Sequence, residues 1–219
     1  MMNTSGYPVL LKLEGRRCVV VGGGKVALRK TRGLLQAGAK VSIISPKLDA
    51  ELMALVSKER IELLQSEYAQ GMLAQLQPLL VFAATNSAAV NRLVVEEAQT
   101  LNMLAAAVDD SSDSDFSNMA VLRRGGITIG ISTQGASPAL SAHLKEVVAG
   151  AVGEEYSTLA EWLGEYRTLA QHKIHSENAR TEFWYGVLNS TILEQLRDGD
   201  ETQARATLDA LWAEAGRGR

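Results

Sequence analysis

The chain has 219 residues, 46% of them apolar and 21% charged, with a net charge of −3. That balance is typical of a folded globular chain and leaves no strongly basic face for nucleic acid. No run approaches the roughly 20 apolar residues of a membrane span, and the lone Cys18 excludes an intramolecular disulfide or a cysteine-cluster metal site. The opening MMNTSGYPVLLKLEGRR lacks the basic start and small-residue cleavage site of a secretory signal. The expectation is therefore a cytoplasmic protein with neither nucleic acid nor membrane as partner.

In chain order, residues 17–21 (RCVVV) are a short β-rich run that ends in three glycines. Residues 25–37 have helical periodicity and stop at Gly38, a natural helix terminator. Residues 41–44 are a second apolar run, 48–56 a helix, 61–64 a short strand and 79–84 (LLVFAA) another strand. Residues 88–101 read as a helix and 103–108 as a strand. Continuous apolar strands separated by helices indicate a parallel sheet buried on both faces. The fold class is α/β, a Rossmann-type doubly wound sheet over residues 1–113.

The pattern then changes. Residues 118–123 and 127–132 flank Arg124-Gly125-Gly126, a spacing that suits an antiparallel hairpin. Ser137-Pro138 opens a helix to about Val148, with serine as cap and proline at the first position. Residues 156–169, 181–196 and 202–215 are helical in character. Three parts result: 1–113, a small α+β middle at 114–150, and an all-helical tail at 151–219. Trp162, Trp184 and Trp212 lie on helical patterns and read as packing anchors.

The glycine turn carries the clearest chemistry. Gly22-Gly23-Gly24-Lys25-Val26-Ala27 fits G-x-G-x-x-A between a strand and a helix. Gly22 allows the tight turn, Gly24 lets backbone approach a pyrophosphate, and the helix start offers free N–H groups to phosphates. The competing reading is a tight turn without ligand. NAD sites often carry an acid at the end of the second strand to hold the ribose. Here that place reads Ile44-Ser45-Pro46-Lys47, and Lys47 suits either a 2′-phosphate or plain solvation. Thr85 and Asn86 end the fourth strand, where small and amide residues suit a crevice wall. Asn86 as a helix cap is the compatible alternative.

Four aspartates, Asp109, Asp110, Asp113 and Asp115, follow the last apolar run. An EF-hand starting at Asp109 fails, because Ser114 replaces the required glycine and Ala120 the required glutamate. Asp110, Asp113 and Asp115 read as a solvated turn. Asp109 differs, since it stands at the carboxyl edge of the sheet, where open α/β folds bind ligands.

The motifs occur in a telling order: Tyr7-Pro8, Gly15-Arg16, VVVGGGKVALRK, LLQAGAKVSIISP, LVFAATN, AAAVDD and GISTQGASPALS. Over residues 7–150 this resembles the precorrin-2 dehydrogenase / sirohydrochlorin ferrochelatase family, and ARTEFWYGVL in the tail is similar too. The resemblance implies an NAD-binding Rossmann domain at 1–113, a central dimerisation domain at 114–150 and a helical C-terminal domain at 151–219, in a homodimer. It implies oxidation of precorrin-2 to sirohydrochlorin with NAD as hydride acceptor, and in many members insertion of ferrous iron. A uroporphyrinogen methyltransferase upstream is expected on a separate chain, since this one ends at Arg219.

By the same resemblance, NAD contacts fall on Lys25 and Val26 beside Gly22, Gly23 and Gly24, on Ser45, Pro46 and Lys47, and on Thr85 and Asn86. The family's use of NAD decides against the NADP hint from Lys47. The catalytic aspartate falls on Asp109. It would accept protons in dehydrogenation and chelation, and transiently meet ferrous iron. Ser132, Thr133 and Ser137 lie at a helix start that suits the carboxylates of a polycarboxylate tetrapyrrole. His143 follows on that helix as a candidate metal ligand, with an ordinary surface or packing role as the competing reading. His172 and His175 read as sharing a helix face. Arg29, Lys30, Arg32, Arg123 and Arg124 are candidate counter-charges or plain solvated cations. Two other functions remain open: a dehydrogenase with a separate chelatase, and a non-catalytic NAD-sensing module.

Overall fold

The computed structural model describes residues 6–58, 60–108 and 114–216. The chain divides into two compact units, Met1–Asn118 and Met119–Arg219. The expected middle and tail fall in the second unit, apart from the first residues of the middle.

In the first unit β1 (Arg17–Val21), β2 (Lys40–Ile44), β3 (Glu62–Leu64), β4 (Leu80–Ala83) and β5 (Leu104–Ala107) form a parallel sheet in the order β3-β2-β1-β4-β5. Between them lie α1 (Lys25–Gln36), α2 (Ala50–Ser57), α3 (Met72–Leu76) and α4 (Ala88–Thr100). This is the predicted doubly wound sheet. The strand order reverses between β1 and β4, which makes their carboxyl ends the switch point where such folds bind ligands.

The alternation of side chains along a strand distributes the core over both faces. Cys18 and Val20 of β1, Val41 and Ile43 of β2, and Leu80 and Phe82 of β4 join one core with Ala27, Leu28 and Leu34 of α1 and Leu52 of α2. Val19 and Val21, Ile44, Val81 and Ala83 join the other, with Leu73 of α3 and Val94, Val95 and Ala98 of α4. Burying each larger side chain stabilises the fold by roughly 1.5–3 kcal/mol, so no residue of β1 after Arg17 is free to be polar. The helix α3 has 5 residues and left no periodic signal in the sequence.

Three sequence expectations change at this level. Helix α2 begins at Ala50 rather than Leu48, because the Asp49 side chain caps it by accepting from Glu51 N at 2.9 Å. Asn86 does not cap α4. That cap is Ser87, whose hydroxyl accepts from Val90 N. Asp115 does more than sit in a solvated turn. Its backbone N–H donates to Ala105 O at 2.9 Å, its carboxylate accepts from Ala105 N at 2.8 Å, and Ser114 Oγ accepts from Ala107 N at 3.0 Å. As an outermost strand β5 has backbone groups that need partners, and Ser114 and Asp115 supply them. Asp109, Asp110 and Asp113 lie outside the described residues.

In the second unit β6 (Ala120–Arg124) and β7 (Ile127–Ile131) form the predicted antiparallel hairpin. Then come α5 (Pro138–Ala151), α6 (Glu155–Lys173), α7 (Glu177–Leu188), α8 (Ile192–Arg197) and α9 (Glu201–Ala215). The segment read as one helix over residues 181–196 breaks after Leu188, where Asn189 caps α7 and Thr191 precedes α8. Trp162, Trp184 and Trp212 lie in the core of this unit with Tyr166, Phe183 and Leu208. Trp212 meets Tyr166 and Phe183 edge-on at centroid distances of 5.2 and 5.4 Å, and such pairs contribute about 1 kcal/mol each. Helix α6 stops at Lys173, so His175 lies beyond it and shares no helix face with His172.

Cys18 is fully buried in β1, and that burial pushes its thiol up to about 11. A raised pKa means less thiolate, the reactive form. Iodoacetamide at pH 8 is expected to leave native Cys18 unlabelled over an hour and to label it quantitatively in urea, as read by intact mass.

Candidate functional site

A cleft of about 730 Å³ opens over the carboxyl ends of β1, β2 and β4. The glycine turn forms its floor. Gly22 has φ +124°, a region L side chains avoid. Its N–H donates to Ile44 O at 2.9 Å. A Cβ there would strike the Ala84 carbonyl, 2.6 Å from its carbon. A Cβ on Gly23 would run into the Lys47 carbonyl and lie 2.7 Å from Ser45 Oγ. The first two glycines are thus required by the protein's own backbone.

Gly24 differs. A Cβ on it would meet no protein atom within 4 Å. It is the N-cap of α1 and lacks a side-chain cap, and no acidic residue occupies the first turn. Gly24 and Lys25 thus bring the start of α1 to the cleft wall with neither a side-chain cap nor a first-turn carboxylate. Room for close approach and a partial positive charge are what a pyrophosphate needs, so the residues present fit a dinucleotide.

The structure brings the predicted cofactor residues together: Gly22, Gly23, Gly24 and Lys25 on the floor, Ser45, Pro46 and Lys47 on one side, Thr85 and Asn86 on the other. Val26 does not line the cleft but packs against the first core. No carboxylate ends β2. Ser45 is buried there and its hydroxyl donates to Lys47 O at 2.7 Å. The carboxylates in the cleft wall are Asp49 and Glu67, both missed by reading the sequence for an acid at the strand end.

Asn91 was missed as well. It is buried on α4, and its Oδ1 accepts from Thr85 N at 3.0 Å and from Thr85 Oγ1 at 2.7 Å. Its amide nitrogen donates to Thr85 O at 3.2 Å. One side chain thereby fixes the loop after β4. Its place one turn into the helix, four residues past the Ser87 cap, was the available signal.

The other candidates are placed separately. Val108, which precedes Asp109, donates its N–H to Ala83 O at 3.0 Å; Asp109 itself lies outside the described residues. In the second unit Ser132 Oγ accepts from Gln134 N at 3.1 Å, and Ser137 Oγ caps α5 by accepting from Leu140 N at 3.1 Å. Thr133 Oγ1 donates to Ser137 O at 3.0 Å. His143 is exposed on α5. Among the described residues no three His, Cys, Asp or Glu side chains group as a metal site. Arg32 pairs with Glu51, and Arg124 with Glu154 at 3.3 Å. Lys30 lies 5.1 Å from the centre of the Phe82 ring, and burial, then neighbouring Arg29, lowers its pKa.

Comparison with known proteins agrees with the cleft. Residues 9–120 match a family model described as "Putative NAD(P)-binding", and residues 155–211 match the sirohaem synthase dimerisation region. A siroheme synthase of Chromobacterium violaceum is 33% identical over 97% of this chain and 45% of its own length. One from Gluconacetobacter diazotrophicus is 36% identical over 95% of this chain and 45% of its own. The chain thus spans less than half of these relatives. A solved structure titled SirC, precorrin-2 dehydrogenase, superposes with a TM-score of 0.78 at 28% identity, over 95% of this chain and 100% of that one. No described helix is long and apolar enough to cross a membrane.

The two kinds of glycine separate experimentally. Gly24→Ala is expected to keep its melting temperature within about 3 °C, a shift below roughly 1 kcal/mol, while NAD affinity falls at least about tenfold. Gly22→Ala is expected to lose more than about 2 kcal/mol of stability by strain and collision. Thermal melts and NAD titration check both.

Proposed function

The chain belongs to the precorrin-2 dehydrogenase / sirohydrochlorin ferrochelatase family, and on that premise we propose that it oxidises precorrin-2 to sirohydrochlorin with NAD. The observation that carries this is the open Gly24 at the uncapped start of α1, at the switch point of the sheet. The whole-chain likeness to a precorrin-2 dehydrogenase supports the choice of substrate.

In this reading Gly22 to Lys25 hold the pyrophosphate, and Ser45, Pro46 and Lys47 border the adenosine half. Thr85, held by Asn91, borders the nicotinamide half with Asn86. The bound NAD supplies the carbon that receives the hydride. Loss of a hydride leaves the macrocycle one proton to shed, and Asp109 is the proposed acceptor. Ser132, Thr133 and Ser137 are proposed to meet the substrate's carboxylates. Precorrin-2 would come from a uroporphyrinogen methyltransferase.

Ferrochelation is the second part of the proposal. Insertion of ferrous iron displaces two pyrrolic protons, and the same carboxylate would take them. Iron is a substrate here, met transiently by Asp109 and, as the weaker candidate, His143. The match to a sirohaem synthase dimerisation region supports a homodimer, and the reducing cytoplasm is the proposed setting. Light scattering is expected to give about twice the 23.6 kDa chain mass; a monomer would contradict the assembly.

An anaerobic assay with precorrin-2, NAD and ferrous or cobaltous ion, followed by macrocycle absorbance, tests the function. Sirohydrochlorin without metallation would leave a dehydrogenase alone, with a separate chelatase. NAD binding with no turnover would leave a sensing module. Asp109→Ala is expected to abolish metallation and slow oxidation by about 10²–10⁴-fold, the usual worth of a general base, with NAD binding unchanged. Near-normal rates for both reactions would sink the role of Asp109.

A further inference from the structure

Glu97 is a carboxylate that the proposed reaction does not use. It is only 8% exposed on α4, and no cation pairs with it among the described ion pairs. Three neutral donors hold it instead. Oε2 accepts from Tyr68 OH at 2.6 Å and from Gly71 N at 2.9 Å, and Oε1 accepts from Leu73 N at 3.0 Å. All three belong to the segment that leaves β3 and enters α3. A buried carboxylate is costly unless its lone pairs are met, so these bonds constrain the segment tightly.

The segment matters because of where it runs. Strand β3 pairs with β2, and both lie on the side of β1 opposite β4. Groups that follow β2 in such a fold border the adenosine ribose, and the loop after β3 adjoins them. Glu67 and Tyr68 do line the cleft. The Tyr68 ring also packs against the core that holds Ile44 and Leu73. Burial first, and then the bond to Glu97, raise its phenol pKa, so the hydroxyl remains a donor. The ring is fixed at the core on one side and through its hydroxyl on the other.

We propose that Glu97 is a positioning residue for dinucleotide binding: through Tyr68, Gly71 and Leu73 it holds the wall against which the adenosine half lies. This rests on the reading of the cleft as a dinucleotide site. Helix α4 then ties down both sides of the cleft, with Asn91 on the loop after β4 and Glu97 on the loop after β3.

The test uses the full chain, ADP titration by calorimetry, and steady-state oxidation with varied NAD. Glu97→Ala is expected to weaken ADP binding and raise KM for NAD by a common factor of about ten, with kcat at saturating NAD unchanged. Tyr68→Phe, which removes one hydroxyl, is expected to weaken both by about threefold. Glu97→Gln keeps an acceptor and is expected to lie nearer wild type. Circular dichroism establishes folding, and if Glu97→Ala does not fold, the other two variants decide. Folded variants with wild-type ADP affinity and KM overturn the proposal, as does a fall in kcat with both unchanged. A wild-type chain that binds ADP without oxidising precorrin-2 removes the proposed activity and leaves the ADP arm to decide this inference. A wild-type chain that binds neither ADP nor NAD removes the dinucleotide reading and this inference together.

Discussion

The missing side chain of Gly22 sets the geometry on which the first unit depends. Its N–H reaches Ile44 O on one side, and on the other the Ala84 carbonyl occupies the space that a Cβ would need. The turn leaving β1 is therefore threaded between the ends of β2 and β4. Any larger residue would push those ends apart or turn the loop aside. The chain can then direct the start of α1 into the gap rather than past it. The helix start and both flanking loops meet in one cleft because this passage leaves no room for a Cβ.

The sheet supports that passage by being buried on both faces. Neighbouring residues of β1 enter different cores, so α1 and α2 grip one side while α3 and α4 grip the other. Close packing makes each helix a fixed reference for the loops beside it. Polar side chains use those references. Asn91 and Glu97 both reach from α4 to segments that end strands, and each satisfies several backbone groups at once. Rigidity around the cleft thus comes from a helix that sits behind it.

Much of this was legible in the sequence, for physical reasons. The runs CVVV and LLVFAA are apolar at every position because both faces are covered, and GGGKVA reads as a tight entry to a helix. The hairpin showed through Gly125-Gly126, and Ser137-Pro138 announced α5. What could not be read shares one property. The bonds of Glu97 to Tyr68, Gly71 and Leu73 join residues 24 to 29 apart, so no local pattern carries them. Tyr68 looks like a loop residue until Glu97 is placed behind it. Helix α3 is too short to repeat. Asp115 resembles a turn former because the need it answers belongs to β5, ten residues earlier.

That last arrangement governs more than one loop. A parallel sheet has two outer strands, and each offers a row of backbone groups to any passing chain. Here one outer strand, β3, is only 3 residues long and begins with Glu62. The other, β5, already has its amides at Ala105 and Ala107 taken by Asp115 and Ser114. Neither margin is an inviting template for a sixth strand. What the two margins withhold is a free row of backbone groups, the template that valine- and isoleucine-rich strands would otherwise offer to a second copy.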